Sequence, residues 1–383
     1  MTHGRAPKMW IWQQHDWPKF SFDADTLAPL LRQVHFNQGQ LLGKQGGAGS
    51  EQATLDTLLA SIIYSSAIEG EKLNASSVRS SLATKLGISE ERQYPTTAQT
   101  DGLAEITIDA ISNWSIPLTL ERILTWHRLL FPEGYTFLNP IQGGVLRGDD
   151  PMQVVSGRID RPKVHFEAPP RNVLEQDLSQ FIDWFNTSKS DKSLDPVVRA
   201  AITHLWFVTL HPLDDGNGRI TRLLTDLALA QGESQSIRFY AISMSILERR
   251  KSYYAILEST QKGGLDITSW LLWFLDTLND ALLNTLNAIE QTLSKTNYWR
   301  RVDQTQLTSE QAKVLNRLLD GEFELGISSS QYQKVAKVSR ATATRHLSQL
   351  VEMGCLLKTD AGGRSTRYVC IFAPIMNTHS QAS

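Results

Sequence analysis

Apolar residues recur at three- and four-residue steps along most of this chain, a spacing that predicts helices packed on one another. Residues 51–87, EQATLDTLLASIIYSSAIEGEKLNASSVRSSLATKLG, keep that spacing except at EGEKLN, where a break is expected. Residues 105–131 also read as helices, the later one entered through SIPL with its proline near the start. The pattern continues through NVLEQDLSQFIDWFN, DPVVRAAITHLWFVTLHPL, GRITRLLTDLALAQ and SILERRKSYYAILESTQ. The most apolar run, SWLLWFLDTLNDALLNTLNAI, is interrupted by Asp276 and Asp280. It is expected as a buried helix, because no uninterrupted apolar stretch reaches the roughly 20 residues of a membrane span.

The period changes in two places. Between residues 139 and 170, Gly and Pro punctuate two short β-rich runs, MQVV and KVHF, which predicts a hairpin inside a helical protein. Near residues 290–308 the chain turns polar, as a linker would. Beyond it come three helical stretches and CLLKTDAGGRSTRYVCIF, a Gly-turned hairpin. The expected fold class is therefore mainly α.

Composition narrows the function classes. A net charge of −2 over 383 residues excludes a global basic field, so any nucleic-acid surface has to be local. Two cysteines, Cys355 and Cys370, are too few for a disulfide framework or a cysteine zinc site and are expected as buried thiols in a reducing cytoplasm. The opening residues are polar and aromatic, without the apolar run of a secretory signal.

The most concentrated chemistry is HPLDDGNGRITR, residues 211–222. Helical pattern precedes and follows it, so the loop sits at a helix N-terminus, where unpaired N–H groups and the dipole favour an anion. Gly216 and Gly218 allow a phosphate to approach the backbone closely, and Arg219 and Arg222, three apart, can clamp further phosphates. An aspartate beside a polyphosphate calls for a cation, and Asp215 is placed to hold Mg²⁺. His211 starts the loop and suits a general base near neutral pH. The residues together predict transfer of a nucleotide or phosphoryl group to a hydroxyl, and the absence of Lys followed by Ser or Thr excludes a Walker A loop.

This stretch resembles the signature of Fic-domain proteins, H-P-F-x-[DE]-G-N-G-R-x-x-R, differing only at Leu213, where the family usually has Phe and where core packing is expected. The resemblance implies transfer of AMP from ATP to a Ser, Thr or Tyr hydroxyl of a target protein. His211 would be the base, and Asp215 would bind Mg²⁺. Gly216, Asn217 and Gly218 would surround the α-phosphate, with Arg219 and Arg222 on the outer phosphates. GGVLR, residues 143–147, and KVHFEAPP are similar to the family's flap, which implies that Lys163, Val164 and His165 dock the target by strand addition. KSYYAILESTQKGGLDITSW places Tyr253 and Tyr254 on the adenine and ribose pocket, with Gln261 where the family often has Asn.

SSAIEGEKL matches the family's inhibitory motif [ST]-x-x-x-E-[GN], with Ser65, Glu69 and Gly70 in register. The resemblance places Glu69 against Arg222, and an arginine paired bidentately with a carboxylate cannot also grip a γ-phosphate. In some members the same glutamate serves removal of AMP, which is the alternative reading. Residues 1–100 are expected to form the inhibitory N-terminal domain and 101–290 the Fic domain. Residues 305–372 are similar to a winged helix-turn-helix, with Ser339 capping its second helix, Gly362 and Gly363 at the wing tip, and a basic cluster including Lys334, Lys337, Arg340, Arg345, Lys358, Arg364 and Arg367. DNA is thus a candidate partner, and a DNA-binding regulator with a nucleotide-sensing Fic part is a further alternative. Fic proteins often form dimers, so the resemblance leaves a homodimer open, although the sequence does not give the oligomeric state; no membrane partner is expected.

Overall fold

Helix α1 (Ala24–Gln45) begins the helical order, after an aromatic lead-in in which Trp17 and Phe20 pack edge-on against Trp206. The computed structural model describes residues 9–45, 51–90, 92–132, 141–158, 161–233, 240–359 and 366–371. They form two compact units, Met1–Thr285 and Leu286–Ser383.

The first unit continues with α2 (Glu51–Ile68), α3 (Ala75–Leu86), α4 (Ala98–Ser112) and α5 (Leu120–Leu130). The break expected at EGEKLN lies between α2 and α3, where Asn74 caps α3 by accepting from the N–H groups of Ser76 and Ser77. Strands β1 (Gln153–Arg158) and β2 (Arg161–Glu167) pair antiparallel with a bulge between Val154 and Val155, so the hairpin is longer than the runs MQVV and KVHF. Then follow α6 (Arg171–Ser188), α7 (Pro196–Leu210), α8 (Asn217–Glu233), α9 (Ile242–Glu248), α10 (Arg250–Gln261) and α11 (Thr268–Arg301).

The core is built around α7, which is buried from Val197 to Leu210. A helix apolar on nearly every face must lie at the centre. Its N-terminus is fixed twice, by Pro196 in the first turn and by Asp195, whose carboxylate accepts from Val197 and Val198. The buried Arg199 donates to Ser188 Oγ and the Phe185 carbonyl, so its charge is not left without hydrogen bonds.

Two stretches differ from expectation. SILERRKSYYAILESTQ is two helices, because Arg249 leaves helical geometry (φ −99°, ψ 19°) and pairs with Asp276 and Asp280. That pairing also explains how α11 carries two carboxylates in an apolar run. The polar segment expected as a linker is helical as far as Arg301.

The second unit contains α12 (Ser309–Leu319), α13 (Ser329–Ala336), α14 (Arg340–Glu352) and the antiparallel strands β3 (Leu356–Lys358) and β4 (Tyr368–Cys370). Its core gathers Tyr298, Val314, Leu315, Tyr332, Leu347 and Leu350. Cys355 and Cys370 are buried free thiols, as expected. Ser339 caps α14, accepting from the Thr342 N–H at 3.2 Å. Gly362, Gly363 and Arg364 lie outside the described residues. Among the described residues no helix is long and apolar enough to cross a membrane.

Candidate active site

Helix α7 stops at Leu210 because Pro212 cannot continue it, and His211 takes up the left-handed conformation (φ 47°, ψ 56°). The loop then turns back on itself. Asn217 accepts from the Leu213 N–H at 3.0 Å and donates to the Leu213 carbonyl at 2.7 Å, so its side chain braces the loop from within. Leu213 is fully buried. Gly216 has φ +78°, and a Cβ there would stand 2.7 Å from Leu130 and 2.8 Å from Phe131, so only glycine fits. This turn starts α8 at Asn217 and leaves its N-terminus facing a cavity.

His211 Nδ1 lies 3.1 Å from the Val208 carbonyl. A carbonyl only accepts, so Nδ1 carries the proton and Nε2 keeps a lone pair, the tautomer a base requires. Burial pushes the imidazole below its ordinary pKa, against an opposing pull from the Val208 carbonyl. The backbone of His211 is held by Arg147, which is 2% exposed. Arg147 donates from Nε to the His211 carbonyl at 2.9 Å and from Nη2 to the Pro169 carbonyl, while its own N–H bonds the Pro212 carbonyl at 3.0 Å.

The two arginines of α8 are both engaged. Arg222 Nη2 donates to Glu69 Oε1 at 2.7 Å and to the Ser65 carbonyl at 2.9 Å, and Nε donates to Ser65 Oγ at 2.8 Å. The grip is therefore one carboxylate oxygen plus two serine atoms, not the bidentate fork expected from the sequence. Ser65 sits at α2's last turn and takes the edge of the guanidinium that Glu69 does not reach. Burial alone would raise the Glu69 carboxyl, but Arg222 outweighs it and holds the group below the ordinary carboxylate range. Arg219 Nη1 meets Glu71 Oε2 at 2.6 Å, and its guanidinium lies 5.0 Å over the Phe131 ring. Arg222 Nη1 and Arg219 Nε are buried without a hydrogen-bond partner among the described residues. A Cβ on Gly218 would stand 2.1 Å from Glu69 Oε1 and 3.2 Å from Arg222 Nη1, so the space in front of α8 already holds a carboxylate and an unused donor.

One cavity of 710 Å³ brings Glu69, His211, Gly218, Tyr253, Tyr254 and Gln261 together. Tyr253 is buried, its hydroxyl 2.9 Å from His204 Nε2, while Tyr254 is 40% exposed and donates to the Ile68 carbonyl at 3.2 Å. Gln261 donates to Thr209 Oγ1 at 3.2 Å. Of the hairpin residues expected to dock a target, His165 lines the cavity, whereas Lys163 is exposed and Val164 half-buried outside the lining. Val154, Val155 and Ser156 of β1 line it as well. Asp215 stands at the loop's outer edge, its side chain 56% exposed and 3.9 Å from Arg219, with Oδ1 accepting the Gly216 N–H at 2.5 Å. Gly70, next to Glu69, has φ +86°.

Sequence reading missed several groups that fix this geometry. Arg147 was included in a flap-like stretch without a role. Glu71 stands one residue past the inhibitory motif. His204, fully buried, with a pKa pushed down to about 3 by burial, orients Tyr253 and bonds Thr225 Oγ1 at 2.9 Å. Its signal was a lone histidine in an apolar helix, which by itself reads as core.

Residues 117–229 match the Fic/DOC family, and residues 10–88 match a domain of unknown function, DUF4172. The chain is 27% identical over 239 residues to protein adenylyltransferase fic-1 of Caenorhabditis elegans, covering 62% of this chain and 43% of that protein. It is 34% identical over 128 residues to a uridine 5′-monophosphate transferase of Xanthomonas campestris pv. campestris (strain 8004), covering 32% of this chain and 23% of that protein. The chain thus spans less than half the length of these curated relatives. In fold it is similar to the crystal structure of a Fic family protein from Desulfovibrio desulfuricans G20, with a TM-score of 0.53, 21% identity, and coverage of 91% of this chain and 97% of that one.

Proposed function

With residues 117–229 a Fic/DOC family domain, we propose that the protein is an adenylyltransferase that moves AMP from ATP to a hydroxyl of a target protein and is restrained by Glu69. The single observation that carries this reading is His211, its Nδ1 on the Val208 carbonyl, lining one cavity with Gly218 at the α8 N-terminus and with Glu69, the carboxylate that Arg222 holds. The target oxygen attacks the α-phosphorus, its proton passes to His211 Nε2, and the bond to the β-phosphate breaks to release pyrophosphate. The α8 N-terminus at Gly218 seats the α-phosphate, and Arg222 Nη1 is a donor for the charge of the outer phosphates. Tyr253 and Tyr254 flank the adenosine, with Gln261 beyond them. The hairpin offers an open strand edge on which a target segment adds, placing its hydroxyl over the cavity.

Asp215 fits Mg²⁺: one exposed carboxylate oxygen pair beside a phosphate seat is the donor set this cation takes, the rest coming from phosphate and water. When bound, the ion would offset phosphate charge that Asp215 otherwise repels.

The test follows α-labelled ATP into protein using Glu69→Gly as the parent. Label appears on protein and is lost when His211→Ala is added. The parent's rate holds level at neutral pH and falls only on the acid side of about 6.5, because burial keeps His211 deprotonated until below its ordinary pKa. Transfer that survives His211→Ala removes the assigned base.

The C-terminal unit supports a second role, contact with duplex DNA. Helix α14 presents Ala341, Thr344, Arg345 and Ser348 outward, side chains suited to a major groove. Exposed Lys334, Lys337 and Arg340 flank this face, and Glu352 is the one acidic residue from Ser329 to Glu352. The full chain is expected to shift duplex DNA at low salt, and Arg345→Ala to weaken it, with a salt slope lower by about one if that contact is to phosphate. No shift at low salt rules the role out.

A further inference from the structure

We propose that Glu71 is a specificity-determining residue: it withholds Arg219 from a nucleoside triphosphate, as Glu69 withholds Arg222, and so sets the site's preference between triphosphate and monophosphate. This rests on the nucleotide reading of the cavity.

Glu71 is held from two sides. Its Oε2 takes Arg219 Nη1 at 2.6 Å, and its Oε1 accepts from Gln99 Nε2 of α4 at 2.5 Å. Its backbone N–H bonds the Ser66 carbonyl at 3.0 Å, which anchors it to the end of α2. The reversal at Gly70 (φ +86°) lets two carboxylates two residues apart reach two arginines three apart on α8. The Arg219–Glu71 pair is well shielded, with side-chain exposures of 8% and 21%, so solvent screens it little.

The chemistry then divides the nucleotide. An α-phosphate needs the α8 N-terminus and His211, and of the two carboxylates it is Glu69 that stands in front of that seat. The β- and γ-phosphates need the arginines, and both arginines already hold a carboxylate. Once Glu69 is removed, an AMP group meets no carboxylate at its seat, whereas the outer phosphates of ATP still meet the Arg219–Glu71 pair. Substituting Glu69 frees Arg222 only. Arg219 remains held through a carboxylate that is also anchored on α4, an element the Glu69 contact does not use.

The experiment compares Glu69→Gly with Glu69→Gly/Glu71→Gln in the full chain, by calorimetric titration with ATP and with AMP and by label transfer from α-labelled ATP. Glutamine keeps the size of Glu71 and a partner for Gln99, and matching melting temperatures confirm an intact fold. The added Glu71→Gln is expected to tighten ATP about tenfold, within the usual range of coupling between sites, to leave AMP unchanged, and to raise transfer. Unchanged or weaker ATP binding overturns the proposal, the weaker case making Glu71 a support that orients Arg219. If Glu69→Gly transfers AMP while Glu71→Gln alters neither quantity, the nucleotide reading stands and this proposal falls. If ATP tightens and no variant transfers label, the proposal stands and the transferase reading falls. If no variant binds ATP, both fall.

Discussion

Glu69→Gly is expected to raise AMP transfer by roughly 5- to 150-fold over the wild-type chain, the span of a coupling of about 1–3 kcal/mol. Three observations set the direction. Glu69 Oε1 is 2.7 Å from Arg222, an arginine with 2% side-chain exposure that cannot turn to a second partner without leaving the first. The same oxygen stands 2.1 Å from the point a Gly218 Cβ would occupy, so the carboxylate fills the approach to α8. Its negative charge is also firm, because Arg222 keeps Glu69 ionised through the neutral range despite burial. A triphosphate entering the closed site meets repulsion in place of a guanidinium, and its α-phosphorus is displaced from the line of attack. The Gly variant removes the repulsion and frees the Nη2 donor that Glu69 holds, beside Nη1, which has no hydrogen-bond partner among the described residues. Initial rates with labelled ATP and a lysate decide it, and equal rates in the two proteins dismiss the brake.

Arg147→Ala is expected to lower transfer by about 100-fold in the Glu69→Gly parent, the usual cost of shifting a reacting group by about 1 Å. His211 sits in a left-handed conformation that a non-glycine residue adopts at a cost, so the surroundings must hold it there. Arg147 does so by donating to the His211 carbonyl, and it ties that carbonyl to Pro169 at the end of the hairpin. Truncation leaves two carbonyls without their donor in a buried setting, each a loss of about 1–3 kcal/mol, so the melting temperature should fall too. The loss of turnover is expected to appear in kcat with KM for ATP little changed, and Arg147→Lys should recover part of it. A fall in KM-dependent binding alone, with kcat intact, would show that Arg147 does not position the base.

The chemistry of residues 211–222 was legible because it is local: each residue acts through its own backbone turn or one helical face, and spacing alone puts them together. Glu69 was legible through a motif, although the contact with Arg222 spans 153 positions. What spacing did not reveal is how that contact is shared with Ser65, because a rotamer and an approach angle decide between one oxygen and two. Arg147, Glu71 and His204 escaped for the same reason. Their partners lie 64, 148 and 49 positions away, and nothing in the local sequence marks a buried arginine as a clamp or a surface-type glutamate as a lock. The helix break at Arg249 is similar in kind, since RRKSYY is a good helical sequence and the arginine's partners, Asp276 and Asp280, lie 27 and 31 positions away.

The hydrogen bond from Tyr254 to the Ile68 carbonyl joins a wall of the His211 cavity to the last turn of α2, the helix that leads into Glu69. In the proposed adenylyltransferase, one side chain thus belongs to both the ligand's seat and the restraint's hinge. On the proposed function, an agent that loosens the end of α2 through this bond would alter how tightly adenosine is held, and adenosine would alter that agent's hold by the same factor, because coupling free energy has no direction.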